Sequence, residues 1–318
     1  MERILVTGAG GQIGTELVAA LRERYGASRV IASDRRSLAD IEPFEQLDVT
    51  DGKAVLRLAG KYKVDTIIHL AAMLSATAEA QPLAAWHVNM GGLLNVLEAA
   101  RELNCSVFVP SSIAVFGPGA EPNGTPQTAV QRPITMYGIH KTAGELLCDY
   151  YYLKYGVDTR GLRFPGLISH AAPPGGGTTD YAVEMYVEAV KKKAYTSYIA
   201  EGTFLDMMYM PDALNATIRL MEADPARLKH RNAYNVSAMS VDPAAIAGSI
   251  RRRIPDFALD YAPDPLRQSI AESWPNSLDT SCAEEEWGFR PQYDLDRMTE
   301  DMLDHLMRRE AYRFRQVQ

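Results

Sequence analysis

Thr7-Gly8-Ala9-Gly10-Gly11-Gln12-Ile13-Gly14 closes the apolar run Arg3-Ile4-Leu5-Val6-Thr7 and opens a stretch with helical periodicity. Gly8, Gly11 and Gly14 form a GxxGxxG pattern at that junction. The first glycine permits a tight turn, the second lets the backbone approach a pyrophosphate, and the third lets helix and strand pack closely. The helix start that follows, with Gln12 and Ile13 in its first turn, offers free N–H groups and partial positive charge to phosphates. Glycine alone is a weak signal, since many strand-to-helix turns carry it; the flanking strand and helix give it meaning. Asp34 ends the second apolar run, where a carboxylate accepts hydrogen bonds from ribose hydroxyls and repels a 2′-phosphate. That favours NAD, although Arg35 and Arg36 beside it are able to receive the phosphate of NADP.

Outward from this loop, short β-branched runs alternate with longer helical patterns, the mark of βαβ units and a parallel sheet. Strands are expected at Ile4–Thr7, Val30–Ser33, Thr66–His69, Ser106–Pro110 and Thr159–Arg163, and helices at Gln12–Tyr25, Asp51–Tyr62, Trp86–Leu103 and Tyr137–Tyr155. The expected class is α/β, a Rossmann-type doubly wound parallel sheet with a smaller, mostly C-terminal α/β region for substrate. Ala171-Ala172-Pro173-Pro174-Gly175-Gly176-Gly177 cannot be regular structure and marks a crossing between the two. The division expected is 1–168 for the dinucleotide-binding part, with 205–236 returning to it, and 169–204 plus 237–318 for the substrate-binding part. Within 205–236, Pro211–Glu222 and Ala233–Val236 read as one more helix and strand; the tail from Asp242 is helical and punctuated by proline.

The bulk numbers narrow the partners. The 318 residues are 47% hydrophobic and 23% charged, ordinary for a globular enzyme. A formal charge of −7 argues against nucleic acid, which needs a basic footprint; Lys191–Lys193 and Arg251–Arg253 read as solvated helix ends. Cys105, Cys148 and Cys282 are far apart and lack CxxC spacing, which points to reduced thiols and away from a thiolate zinc site. No run approaches the ~18 apolar residues of a membrane span. The first strand leaves no room for a targeting segment, so a cytoplasmic location is expected.

Tyr137-Gly138-Ile139-His140-Lys141 puts a phenol and an ammonium one helical turn apart, on one face. A phenol titrates near ~10, so service as a base near neutrality requires a depression of about 2–3 units. A neighbouring lysine and a cationic nicotinamide ring are the expected sources. The motif is cheap: Tyr150 and Lys154 repeat it within the same helix. Tyr137 follows a Pro-containing loop at the helix start, facing the strand ends where open α/β sheets bind ligands, whereas Tyr150 reads as buried packing at the far end. A hydroxyl from Pro110-Ser111-Ser112-Ile113-Ala114-Val115-Phe116-Gly117 is placed to hydrogen-bond a reacting oxygen, or merely to cap a strand end. Asp48-Val49 is either an adenine contact or a plain turn.

The glycine loop, Asp34, His69-Leu70-Ala71-Ala72, Asn89, the Ser-Ser-x-x-x-x-Gly run and Tyr-x-x-x-Lys occur in the order found in extended short-chain dehydrogenases/reductases, which the whole chain resembles. That resemblance implies Ser112, Tyr137 and Lys141 as catalytic residues. It also implies a supporting role for Asn89, nicotinamide-side contacts from Leu70, Ala71, Ala72 and Pro165, and a structural His69. It further implies a homodimer paired through the helices at Trp86–Leu103 and Tyr137–Tyr155. The second half, through Gly175-Gly176-Gly177-Thr178-Thr179-Asp180-Tyr181-Ala182 (preceded by Pro174), Leu205-Asp206-Met207-Met208-Tyr209-Met210-Pro211 and Ser273-Trp274-Pro275, is similar to the short-chain L-threonine 3-dehydrogenase group. Leu74-Ser75-Ala76 and Ala85-Trp86-His87-Val88-Asn89-Met90 add to it.

This second resemblance implies oxidation of the threonine β-hydroxyl to 2-amino-3-oxobutyrate with NAD, and no metal. A small zwitterion needs donors for its carboxylate and acceptors for its ammonium. Ser75, Ser111, Ser112, Tyr137, Thr178, Thr179 and Trp274 are the expected substrate contacts. The helix start at Thr178-Thr179-Asp180 suits a carboxylate, and Thr179 or Asp180 is expected to cap it. Gly175–Gly177 is suited to hinge a closing loop. Two rivals share the first half: a sugar-nucleotide epimerase or dehydratase, which needs a pocket for a nucleoside diphosphate, and a non-catalytic NAD(P)-sensing regulator, which has no use for the serine, tyrosine and lysine together.

Overall fold

The computed structural model describes residues 1–38, 41–171 and 175–316. Its strands are β1 (Ile4–Thr7), β2 (Val30–Asp34), β3 (Phe44–Gln46), β4 (Thr66–His69), β5 (Ser106–Phe108), β6 (Ser111–Ser112), β7 (Thr159–Arg160), β8 (Leu162–Phe164), β9 (Gly166–Ile168), β10 (Ala194–Ser197), β11 (Leu205–Tyr209), β12 (Tyr234–Asn235), β13 (Met239–Val241) and β14 (Ala258–Tyr261). The helices are α1 (Gln12–Tyr25), α2 (Gly52–Tyr62), α3 (Ser75–Ala80), α4 (Pro82–Trp86), α5 (Gly92–Leu103), α6 (Met136–Tyr155), α7 (Tyr181–Lys192), α8 (Met210–Glu222), α9 (Pro243–Arg251), α10 (Pro265–Glu272), α11 (Ser281–Trp287) and α12 (Leu295–Gln316).

Six parallel strands run in the order β3-β2-β1-β4-β5-β7. The chain builds outward from β1 on one side and then crosses to β4 on the other, so the switch point lies between β1 and β4. Alternation along β1 feeds two cores: Ile4 and Val6 pack with α1 and α8, and Leu5 packs with α2 and α5. Helices cover both faces, as a doubly wound sheet requires. A third core joins α7, α9 and α12 through Tyr186, Ile246, Met298 and Met302.

Most expected elements are present, and the departures have local causes. The run Ser106–Pro110 stops at Phe108 because Pro110 has no N–H to give a ladder. Thr159–Arg163 is split at Gly161, whose absent Cβ would sit 2.5 Å from the Asn232 carbonyl and 2.6 Å from that of Val109. The expected helix Trp86–Leu103 begins earlier, as α4, and passes through a π-turn at His87–Gly91 before α5. Helix α3 and strands β9 to β11 were not expected from periodicity. They are short, and β11 (Leu-Asp-Met-Met-Tyr) is buried throughout rather than alternating. Within the run Ala171–Gly177, Ala172, Pro173 and Pro174 lie outside the described residues, and the others form no regular element. Ala283, Trp287 and Phe289, from the stretch assigned to the substrate region, pack in the same core as Ile4 and α8.

Tyr150 is a correction. It was expected to be buried, but half its surface is exposed, and it stacks edge-on with Tyr151 and Tyr155. Leu146 and Leu153 on the same helix are exposed as well, so the aromatic character of Tyr150 does not report a core.

Candidate active site

A cleft of about 630 Å³ opens above the switch point, the size of a typical cofactor or small-molecule site. Its floor is the glycine loop. Gly8 adopts φ 70°, and a methyl there would sit 2.6 Å from the Ala71 backbone nitrogen, so the loops after β1 and β4 touch. A methyl on Gly14 would sit 2.4 Å from the Gly8 carbonyl oxygen. Helix α1 starts at Gln12 with no side-chain cap and no acidic residue in its first turn, which leaves its N–H groups and partial positive charge to the cleft. The Gln12 side-chain amide nitrogen is buried there without a partner among the described residues. A cradle that only glycine permits, beside an unsatisfied donor, fits the pyrophosphate of a dinucleotide.

Gly8, Gly11, Gln12, Ile13, Gly14, Leu70, Ala72 and Pro165 all line this cleft. Asp34 stands behind Arg36. One carboxylate oxygen accepts from the Gly10 N–H at 3.0 Å, and the other accepts from the Arg36 N–H at 3.0 Å and the guanidinium at 3.3 Å. Arg36 also donates to the Gly10 carbonyl at 3.0 Å and itself lines the cleft. Asp48 and Val49 lie elsewhere. The Asp48 carboxylate closes a turn by accepting from the Thr50 N–H and hydroxyl, and Val49 is buried beneath Gly92. Here the turn reading of Asp48 is what the structure displays.

Ser112, Tyr137 and Lys141 meet at the far wall. Thr135 caps α6 by accepting from the Gly138 N–H at 3.1 Å. A methyl on Gly138 would sit 2.2 Å from the Ala114 carbonyl oxygen, so glycine lets the helix start press against the Ser112 loop. The Ser112 hydroxyl stands beside the Tyr137 phenol there, near enough to favour its ionised form. The Lys141 ammonium donates to the Pro110 carbonyl at 2.6 Å and lies 5.4 Å from the Tyr137 ring centre. Glu79, on α3, accepts from the Met136 N–H at 2.5 Å and ties down the start of α6.

The electrostatics depart from the expectation for Tyr137. Burial pushes its phenol up to about 12, opposed only by the nearby Ser112 hydroxyl. Burial likewise pulls Lys141 down to about 8, opposed by Cys148 and Glu145. The reason is shared: both groups sit in a wall with little water, which penalises either charged form. In the protein alone the tyrosine is therefore a phenol, and the expected lowering must come with charge brought by ligands.

Around this pair, Asn89 in the π-turn holds both the N–H and carbonyl of Met73, at 2.7 and 3.0 Å, and bonds His140 at 3.1 Å. Asn89, Ala71 and Lys141 share a smaller cavity of about 30 Å³ behind the wall, room for about one water. His69 is buried, bonded to the Thr7 hydroxyl at 2.9 Å and pulled down to about 3, a neutral structural group. Ser111 differs from expectation. Although it lines the cleft, its hydroxyl is given to Glu145, which also takes a bidentate bond from Arg163 at 2.9 and 3.0 Å.

The other end of the cleft is formed by Ser75, Thr178, Thr179, Asp180 and Trp274. Ser75 and Thr178 place their hydroxyl oxygens 3.4 Å apart. Asp180 caps the helix start, as expected of it or Thr179: its carboxylate turns back and accepts from the Gly176 and Gly177 N–H groups, both at 2.7 Å. Burial raises the Asp180 pKa against those two bonds. The Trp274 indole N–H is buried and unpartnered among the described residues. Met73, Thr77, Ile113 and Leu167 also line the cleft and were not anticipated. Thr77 lies on α3, and its Thr-Ala-Glu-Ala context gives no periodicity to read.

The profile of the NAD dependent epimerase/dehydratase family matches residues 4–237. An uncharacterised epimerase/dehydratase of Staphylococcus saprophyticus is 58% identical over 309 residues, 96% of this chain and 97% of that protein. The structure of an L-threonine dehydrogenase from Clostridium difficile is 59% identical, covers 97% of this chain and 98% of that one, and superposes with a TM-score of 0.96. An L-threonine dehydrogenase from Phytophthora infestans is 47% identical over 96% of this chain and 99% of that one, with a TM-score of 0.94.

Proposed function

The chain belongs to the NAD dependent epimerase/dehydratase family, and from that premise we propose that it oxidises the β-hydroxyl of L-threonine to 2-amino-3-oxobutyrate, with NAD as acceptor. The observation that carries this reading is the single cleft that joins the glycine cradle, the neighbouring Ser112, Tyr137 and Lys141 side chains and a polar end. That end, with Ser75, Thr178, Asp180 and Trp274, carries the donors and acceptors that a small zwitterion needs. Whole-length similarity to L-threonine dehydrogenases supports it.

Ser112 positions the substrate hydroxyl, and Tyr137 takes its proton as general base. Lys141 holds the ribose side and favours the phenolate. The bound dinucleotide supplies hydride acceptance at its nicotinamide. Asp180 offers a carboxylate for the substrate ammonium, and the Ser75–Thr178 hydroxyl pair and the Trp274 N–H offer donors for the substrate carboxylate. Asp34 at the ribose end selects NAD. The cofactor contacts extend to Gly8, Gly11, Gln12, Ile13, Gly14, Leu70, Ala72 and Pro165. Two copies pair through the exposed apolar face that carries Trp86, Leu94, Leu146 and Tyr150.

Formation of NADH with L-threonine, and none with UDP-sugars, is the expected result. Turnover of a UDP-sugar without threonine oxidation sinks the proposal in favour of the epimerase class. Cofactor binding with no turnover of either favours a sensor.

A further inference from the structure

Away from the cleft, the C-terminal helix meets the segment that leaves β9. We propose that His170, Asp301 and His305 there form a binding site for one divalent cation of the zinc type, which braces α12 against the wall of the cleft. Asp301 and His305 are one turn apart on α12 and share a face. His170 comes from the segment just after β9 and stacks on His305, with ring centres 3.9 Å apart and planes 18° apart. One potential ligand atom from each of the three lies within 4.8 Å of the others.

Tyr209 orients the set. A carboxylate only accepts, so the Tyr209 hydroxyl spends its one proton on Asp301 Oδ2, at 2.7 Å. The Tyr209 oxygen must then accept from His170 Nδ1, at 2.8 Å. His170 is thereby held as the Nδ1–H tautomer with the Nε2 lone pair free, the arrangement that outer partners impose on metal-binding histidines. Asp301 keeps Oδ1. That oxygen lies 3.8 Å from His305 Nε2, beyond hydrogen-bond reach. Two ligand atoms each ~2.0 Å from a tetrahedral metal stand ~3.3 Å apart, whereas these three lie within 4.8 Å, so the site closes by a rotation of the stacked His305 ring and a shift of up to about 1.5 Å.

Two imidazoles and a carboxylate suit zinc-type ions better than magnesium or calcium. Glu16, on α1, faces His305 and accepts from Ser169, adding a carboxyl beside the cation. In the other such cluster among the described residues, His230, Cys282 and Glu286, the carboxylate is already engaged. Glu286 already accepts from the Lys229 and His230 N–H groups, the Tyr234 hydroxyl and His230 Nδ1.

This proposal stands apart from the threonine reading, because its ligands are not among the proton-transfer groups. The test is titration of the chelator-treated full chain with Co²⁺, followed by visible absorption, and with Zn²⁺, followed by calorimetry and thermal melting. One ion per chain is expected, with a rise in Tm. His305→Gln alters a half-exposed side chain and is expected to fold normally. It should lower affinity at least ~10-fold and abolish the Tm rise, and Tyr209→Phe should lower affinity by about 10–100-fold. Cys282→Ser should change neither. Absence of binding, binding indifferent to His305→Gln, or binding lost in Cys282→Ser each overturns the site.

Discussion

The Lys141 ammonium lies 5.4 Å from the centre of the Tyr137 ring and gives a hydrogen bond to the Pro110 carbonyl at 2.6 Å. Lysine and tyrosine are neighbours, yet the phenol is governed by burial rather than by the cation. Tyr137→Phe removes the acid–base oxygen and keeps the ring. Turnover should fall by at least ~10²–10⁴-fold, the usual scale of general acid–base catalysis, with dinucleotide binding retained. Steady-state rates and calorimetric cofactor titration check this; unimpaired turnover removes Tyr137 from the chemistry.

Lys141 also makes a pH prediction. Its folded pKa is pulled down to about 8 from 10.5 by burial, so below about 8 the folded state carries a desolvated cation that costs stability. Between about 8 and 10.5 the unfolded chain binds more protons than the folded one, and stability rises with pH. Tyr137 opposes this later: its raised pKa gives stability that is full below 10 and lost as pH climbs towards about 12. Lys141→Met should erase the Lys141 component, up to about 3 kcal/mol of relative gain by the wild type across that window. Denaturant unfolding of both proteins at pH 7.5 and 10 is the measurement, and parallel pH curves would refute it.

Arg163 and Glu145 are both buried and paired bidentately beneath Ser111. Glu145→Ala strands the guanidinium without a counter-charge and should cost about 3–5 kcal/mol. Urea unfolding reads this directly; a loss below about 1 kcal/mol would mean that water or Gln127 replaces the carboxylate.

Asp34 occupies Arg36 at the adenosine end. Asp34→Ser should free the arginine for a 2′-phosphate and lower the NAD-to-NADP ratio of kcat/KM at least tenfold, about 1.4 kcal/mol. Adding Arg36→Ala should withdraw the gain for NADP. An unchanged ratio counts against Asp34 as the selector.

Gly138→Ala would set a methyl 2.2 Å from the Ala114 carbonyl oxygen and push the start of α6 away from Ser112. A displacement near 1 Å costs on the order of 10²-fold in rate. The fall should appear in kcat, with the dinucleotide Kd little changed, because Gly138 does not line the cleft.

Much of the fold was legible because its signals are local. The glycine loop, the βαβ alternation and the Asp51 cap of α2 follow from backbone needs and periodicity within a few residues. The Tyr137–Lys141 pair was also legible from its i,i+4 spacing, whereas the choice of Ser112 over Ser111 came from the family resemblance. Helix α3 was not, because its six residues carry no repeat long enough to read, although Glu79 on it anchors α6.

What the tertiary structure alone decided concerns charge, partners and exposure. It sent the Ser111 hydroxyl to Glu145 and left Tyr150 on the surface. It also brought His170 against Asp301 and His305, which no sequence spacing connects. The physical reason is the same in each case. Spacing along the chain determines which side chains share a face or a turn, whereas a group's partner and protonation depend on what distant segments bury beside it. Tyr137 and Lys141 are the clearest instance: their juxtaposition was written in five consecutive residues, and their pKa values were set by the wall that encloses them.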